Sequence, residues 1–278
     1  MEILVAPKLK RYKKIGLAFG GGGARGFGLI GVIKALEEEG LRFDYVAGTS
    51  IGSVMGAMYA YGMSSDRIEE IATAIKVKDI RKSKIPLVPS PTEAIEDIIK
   101  MAVGDINIED IGTPFCAVAV DMLTGDEVDI TSGNLAKALA GSCAVPTVFQ
   151  AVRFEDKLLF DGGLQNTIPA DVLRKLGCDA VVAVDINSQR GNGTKSTKYF
   201  DLIKASVDIM MKSNAIKGYL NADIIIKPDL KRFSARKTDG MKDMIEEGYI
   251  ATKVMMPQIK ELFKNRKVQK HWWRFSVF

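Results

Sequence analysis

A serine placed to act as a nucleophile stands at Ser50, inside Gly48-Thr49-Ser50-Ile51-Gly52. This GxSxG follows an apolar run, FDYVAGTS, and leads into IGSVMGAMYAYG, which reads as a helix. A sharp strand-to-helix turn of this kind lifts a hydroxyl out of the end of a sheet, and flanking glycines relieve the crowding there. The hydroxyl also needs a base to take its proton. Two are in view. His271, the single histidine of the chain, lies near the C-terminus in KHWWRF. Asp161 opens Asp161-Gly162-Gly163 after the run LLF, where two glycines permit a tight turn. An aspartate ordinarily titrates near about 3.9, so it serves as a base only where burial raises that value. Taken singly, His271 reads as a surface residue and Asp161 as part of a turn.

A third constellation is GGGGARG, Gly20 to Gly26, set between the strand-like KKIGLAF and the helical FGLIGVIKALEEEG. Two uses compete for it. Gly21, Gly23 and Gly26 spell a literal GxGxxG, the loop of a dinucleotide-binding oxidoreductase. That use needs an acid at the end of the second strand, where GTS stands; the available Asp44 precedes the strand. Alternatively, the amides of Gly21, Gly22 and Gly23 point inward at a helix N-terminus and stabilise an oxyanion. Arg25 either meets a substrate phosphate or braces the loop.

The elements that must position these residues alternate along the chain. Two hairpins are expected, PFCAVAVDMLTGDEVDIT turning at Thr124-Gly125 and VRFEDKLLFDGG turning at Glu155-Asp156. CDAVVAVDIN reads as a strand buried on both faces. Residues 76 to 92, with three prolines and five basic residues, read as a loop. Helices are expected at about 200–220 and 240–264, with the strand ADIIIKP between them. This order predicts a three-layer α/β/α fold with a mainly parallel central sheet, as one domain over residues 1–278.

Composition narrows the chemistry. One histidine excludes Cys2His2 zinc, HExxH and multi-histidine iron sites. Cys116, Cys143 and Cys178 form no CxxC pair and are too few for a disulfide framework, so buried thiols in a reducing compartment are expected. No metal and no cofactor is expected. In MEILVAPKLKRYKK the apolar residues precede the basic ones, the reverse of a secretory signal. Residues 45–65 are uncharged, with Gly48, Gly52 and Gly56 spaced as in a membrane dimer motif, but their small residues suit a buried helix better. A cytoplasmic location follows. Basic residues gather at 8–14, in loop 76–92 and in the tail KNRKVQKHWWRFSVF beside Trp272, Trp273, Phe275 and Phe278. That composition suits peripheral contact with an anionic bilayer at the inner membrane face; a solvated extension is the plainer reading. A net charge of +5 is too mild for a dedicated nucleic-acid binder.

Together, Gly21-Gly22-Gly23-Ala24-Arg25-Gly26, Gly48-Thr49-Ser50-Ile51-Gly52 about 25 residues later, and Asp161-Gly162-Gly163 about 110 residues after that resemble the patatin-like phospholipase family. LAGSCAVPTVFQAV and DGGLQNTIPADVLRKLGCDAVVAVDIN extend the resemblance, which covers roughly residues 13 to 190. It implies a metal-free serine hydrolase of lipid acyl esters, of phospholipase or lysophospholipase type. It further implies Ser50 as nucleophile, Asp161 as base, and oxyanion-hole amides from the loop around Gly22 and Gly23. Ile51 after the nucleophile, and Gln150 at a position where many members carry proline, depart from the pattern without touching the dyad. A non-catalytic membrane-associated scaffold with this fold stays open beside it.

Overall fold

A computed structural model describes residues 12–75, 88–188, 196–234 and 238–265. His271, the aromatic tail and most of the basic loop lie outside the described residues. Among the described residues eight strands form one mixed sheet. They are β1 (Ile15–Phe19), β2 (Tyr45–Thr49), β3 (Phe115–Asp121), β4 (Glu127–Ile130), β5 (Val152–Phe154), β6 (Lys157–Asp161), β7 (Ala180–Val184) and β8 (Ile224–Ile226). The spatial order is β5-β6-β3-β2-β1-β7-β8, with β4 also paired to β3. The run from β3 through β2, β1 and β7 to β8 is parallel, and both expected hairpins are antiparallel.

Helices cover both faces. They are α1 (Phe27–Glu38), α2 (Ile51–Tyr61), α3 (Ser65–Ala74), α4 (Glu93–Val103), α5 (Leu135–Ser142), α6 (Ala170–Lys175), α7 (Tyr199–Ser213), α8 (Ala215–Asn221) and α9 (Met241–Lys264). Alternation along the strands makes the layers. Ile15, Leu17, Phe19, Val46, Phe115, Val182 and Val184 point to one face and pack with α1, α2 and α9. The opposite face carries smaller side chains, among them Ala18, Ala47, Cys116 and Ala183. It packs with Ala170, Val172 and Leu173 of α6 and Ala215 of α8.

Two details differ from expectation. The stretch read as one helix from 200 to 220 is two, because Asn214 breaks it and donates its side-chain amide to the Leu164 carbonyl at 2.6 Å. Helix α4 was not anticipated, although Ala94, Ile95, Ile99 and Val103 form its buried stripe. The uncharged segment 45–65 is a buried strand and helix, and no helix among the described residues is long and apolar enough to cross a membrane.

The pairing around β3 sets up the site. One edge of β3 is taken by β4. The other is shared end to end by β2 and β6, which come from distant parts of the chain. Thr49, the last residue of β2, pairs with Val118, and Asp161, the last residue of β6, pairs with Ala119. Parallel and antiparallel neighbours thus run into each other on consecutive residues of β3, and the turns that follow both strands must leave the sheet at the same point.

Candidate active site

Ser50 occupies a backbone conformation that L-residues avoid, with φ 54° and ψ −132°. Such a residue costs on the order of 1–3 kcal/mol and persists only where its surroundings over-determine it. Three hydroxyls supply that constraint. Ser142 accepts a hydrogen bond from the Ser50 N–H at 3.0 Å and donates to the Val118 carbonyl at 2.6 Å. Ser53 donates to the Ser50 carbonyl at 2.6 Å. Thr49, buried completely, donates to the Asn166 carbonyl at 2.8 Å. Glycine is required on both sides: a Cβ on Gly48 would lie 2.3 Å from the Gly52 carbonyl oxygen, and one on Gly52 would lie 2.3 Å from that of Phe19. The turn leads straight into α2, whose N-terminal amides favour negative charge.

Asp161 is fully buried. Its Oδ1 accepts from the Gly163 N–H at 2.8 Å, while its Oδ2 is enclosed and accepts no hydrogen bond. Burial pushes its pKa up to about 6, against the opposing influence of the Ser50 hydroxyl and the Gly163 N–H. Ser50 therefore stands near the carboxylate without a hydrogen bond of ordinary geometry joining the two. Catalytic contacts are often this loose before substrate binds. A buried polar atom without a partner calls for an explanation, and the nearby hydroxyl offers one. Gly162 follows Asp161 because a Cβ there would lie 2.3 Å from the Val118 carbonyl oxygen.

Asn166 ties the two turns together. Its N–H donates to the Gly162 carbonyl at 2.8 Å, and its own carbonyl receives the Thr49 hydroxyl. Its side chain donates to Asp171 Oδ1 at 2.7 Å, inside a cluster in which Lys217 pairs with Asp171 and Glu127, and Lys175 with Glu127 and Asp129.

The glycine-rich loop lies against the elbow: a Cβ on Gly21 would stand 3.1 Å from that of Ser50, and one on Gly26 would stand 2.3 Å from Ile51 Cγ1. Here one expectation is corrected. The Gly21 N–H is taken by the Thr167 carbonyl at 3.0 Å, so it is not available to an oxyanion. The amides of Gly22 and Gly23 donate to no carbonyl of another segment among the described residues. Gly23, at φ 59°, opens a 3₁₀ turn over Gly23–Gly26. Arg25 is buried and braces this loop. Its Nε and Nη2 donate to the Phe233 carbonyl at 3.0 and 2.9 Å, and its Nη1 to Asn187 Oδ1 at 3.0 Å. Asn187 in turn donates to the Gly21 carbonyl at 2.8 Å.

The dinucleotide alternative fails on position. Asp44 accepts the Ile15 N–H at 2.8 Å, at the start of β1 and thus at the opposite end of the sheet from the loop. Reasoning from sequence also passed over Thr49, Ser142, Asn166 and Asn187. Ser142 is neighboured by Cys143, whose thiol pKa is raised by burial, with Asp161 adding to the effect and the Ser50 and Ser53 hydroxyls opposing it. The only available signal was adjacency, since GSCAVP closes the helix that packs on this corner.

Comparison with known proteins places the chain in a family. The model of the patatin-like phospholipase family matches residues 17–174, more than half of the chain. The chain belongs to the patatin-like phospholipase family. An NTE family protein of Mycobacterium tuberculosis is 33% identical over 192 residues, covering 66% of this chain and 52% of that protein. Human patatin-like phospholipase domain-containing protein 6 is 33% identical over 189 residues, which are 63% of this chain and 13% of the human protein. The chain thus matches about half or less of the length of these relatives. The crystal structure of VipD from Legionella pneumophila superposes with a TM-score of 0.57 at 14% identity, covering 90% of this chain and 67% of that one. At that identity the likeness speaks for the fold alone, a patatin-like α/β architecture.

Proposed function

We propose that this patatin-like protein hydrolyses the acyl esters of lipids through a Ser50–Asp161 dyad. The observation that carries the proposal is the buried, unpartnered Oδ2 of Asp161 beside the hydroxyl of a strained Ser50. A carboxylate with a pKa near 6 is charged at neutral pH and still basic enough to accept a proton in the transition state. In the first step Asp161 takes the Ser50 proton while Oγ attacks the ester carbonyl. The resulting oxyanion is held by the Gly22 and Gly23 amides, with the α2 N-terminus contributing its dipole. The tetrahedral intermediate collapses, protonated Asp161 gives its proton to the leaving alcohol, and an acyl-Ser50 ester remains. Water then attacks that ester, Asp161 takes its proton and returns it to Ser50, and the fatty acid departs. No step requires a metal or a cofactor.

The relatives' names support a lipid substrate. The test is labelling with a fluorophosphonate probe and a panel of phospholipids, lysophospholipids and short-chain esters. Ser50→Ala and Asp161→Asn abolish turnover, and Ser50→Ala abolishes labelling. His271→Ala retains most activity; a folded but inactive His271→Ala protein refutes the dyad. A wild-type protein that neither labels nor turns over any ester is the non-catalytic scaffold instead.

A further inference from the structure

Thirteen large apolar side chains stand exposed among the described residues, and eight of them belong to two segments that touch the Asp161-Gly162-Gly163 turn. Six lie on α7 and α8: Tyr199, Leu202, Ile209, Met210, Ile216 and Leu220. In α7, Tyr199, Leu202 and Ile209 are three and seven residues apart, and in α8 Ile216 and Leu220 are four apart, so each set shares one face of its helix; Ser206 and Ser213 are exposed on the same face of α7. The remaining two, Met122 and Leu123, form the tip of the β3–β4 hairpin.

Both segments are fastened to the candidate active site. A Cβ on Gly163 would lie 2.3 Å from Met211 Cε of α7, and the Asn214 amide that separates α7 from α8 bonds the Leu164 carbonyl. Gln165, at the end of the same turn, donates to the carbonyl of Gly125 in the hairpin. Helix α7 places no described residue in the buried class, while Tyr199, Leu202, Ile209 and Met210 face water. A patch of this kind on an otherwise ordinary surface marks a binding face.

We propose that the outer face of α7 and α8, with the Met122–Leu123 tip, is the surface that docks on a lipid bilayer. The proposal rests on the lipid hydrolase reading and deepens it. Charge selects this occupant. Apart from Lys217, which the acidic cluster holds, residues 196–221 carry Lys198, Lys204 and Lys212 against Asp201 and Asp208, and Lys198 stands exposed beside Tyr199, whose ring and hydroxyl suit the headgroup level. Geometry agrees. Two separate apolar segments border one turn, which suits a flat lipid surface from which an acyl chain must pass to Ser50.

The test compares the full chain with a Leu202→Glu, Ile209→Glu, Leu220→Glu variant. Sedimentation with phosphatidylcholine–phosphatidylglycerol vesicles, hydrolysis of the vesicle lipid, and hydrolysis of a water-soluble butyrate ester are measured. The variant is expected to partition about tenfold or more weakly and to lose vesicle hydrolysis in proportion, with its butyrate turnover unchanged. Equal partitioning of the two proteins overturns the proposal. So does a wild-type dimer that the variant converts to a monomer, since the face then covers a second copy. Butyrate turnover by a wild-type protein that ignores vesicles overturns the docking and keeps the hydrolase. Variant-sensitive vesicle binding by a protein that hydrolyses neither ester keeps the docking and overturns the hydrolase.

Discussion

Replacing Asp161 by asparagine is predicted to silence the protein and to stabilise it. The side chain is fully buried, and burial lifts its pKa from an ordinary 3.8 to about 6. A carboxyl group whose folded pKa exceeds its unfolded value holds its proton more tightly when folded. Folding therefore carries a penalty above about pH 6, where the group must be charged in a dry site, and the penalty fades as pH falls towards 4. A shift of about two pKa units is worth roughly 3 kcal/mol at neutral pH. Asparagine has the same shape and keeps an oxygen for the Gly163 N–H. It presents an amide N–H where Oδ2 is now unpartnered, with the Ser50 oxygen nearby as an acceptor. The expected gain is about 1–3 kcal/mol at pH 8, shrinking to near zero at pH 4. Urea denaturation of both proteins at several pH values measures it. Under the proposed dyad the same pKa governs activity, because the base works only when ionised. For the wild-type protein kcat/KM should fall about tenfold between pH 7 and pH 5, whereas an aspartate at its ordinary pKa would leave it nearly flat. An Asp161→Asn protein less stable than wild type at pH 8, or activity that holds level down to pH 5, refutes the reasoning.

Other perturbations follow from the same contacts. Thr49→Val removes the hydroxyl that joins the Ser50 elbow to the Asp161 turn and leaves the buried Asn166 carbonyl short of a partner. It should cost about 1–3 kcal/mol in stability and lower kcat, with Thr49→Ser restoring both in denaturation and rate measurements. Ser142→Ala frees the Ser50 N–H and the Val118 carbonyl; steady-state kinetics should show kcat falling about tenfold at unchanged KM. Gly52→Ala drives a methyl to within 2.6 Å of both the Phe19 and Gly20 carbonyl oxygens, and circular dichroism should show a protein that does not reach the native fold.

Much of this site is legible in the chain because short-range rules write it. GTSIG needs its glycines for contacts of 2.3 Å, and the apolar runs around it have strand and helix lengths. Both hairpin turns were readable at Gly125 and at Glu155, which sit at φ 82° and 53°. The placement of Asp161 against Ser50 was not readable from local pattern. It depends on β2 and β6 sharing one edge of β3, a long-range pairing that no periodicity encodes; the family resemblance supplied it. The residues that hold the site were missed for the same reason. Thr49 and Asn166 bond each other across 117 positions, and Ser142 reaches Ser50 across 92 and Val118 across 24. Gly21 shows the reverse error: the loop's composition advertises free amides, but the Thr167 carbonyl already holds one.

The site concentrates unfavourable terms, and the architecture explains why they survive. A serine at positive φ and a carboxylate oxygen without a partner each cost stability. Neither can relax, because Asp161 and Thr49, the residue before Ser50, are registered to consecutive residues of β3. Rotating Ser50 into a relaxed conformation would break its bond to Ser142 and carry α2 off Phe19; swinging Asp161 out to water would break its bond to Gly163. The basicity of Asp161 depends on that dryness, since burial is the largest cause of its raised pKa. A site that opened broadly to water would lose it. Docking through α7 and α8 beside the Gly163 turn would let the ester arrive from lipid, so that the surroundings of the carboxylate stay apolar while substrate enters. The exposed apolar face and the buried, unpartnered oxygen are then two parts of one requirement: a weak base kept dry enough to take a serine proton.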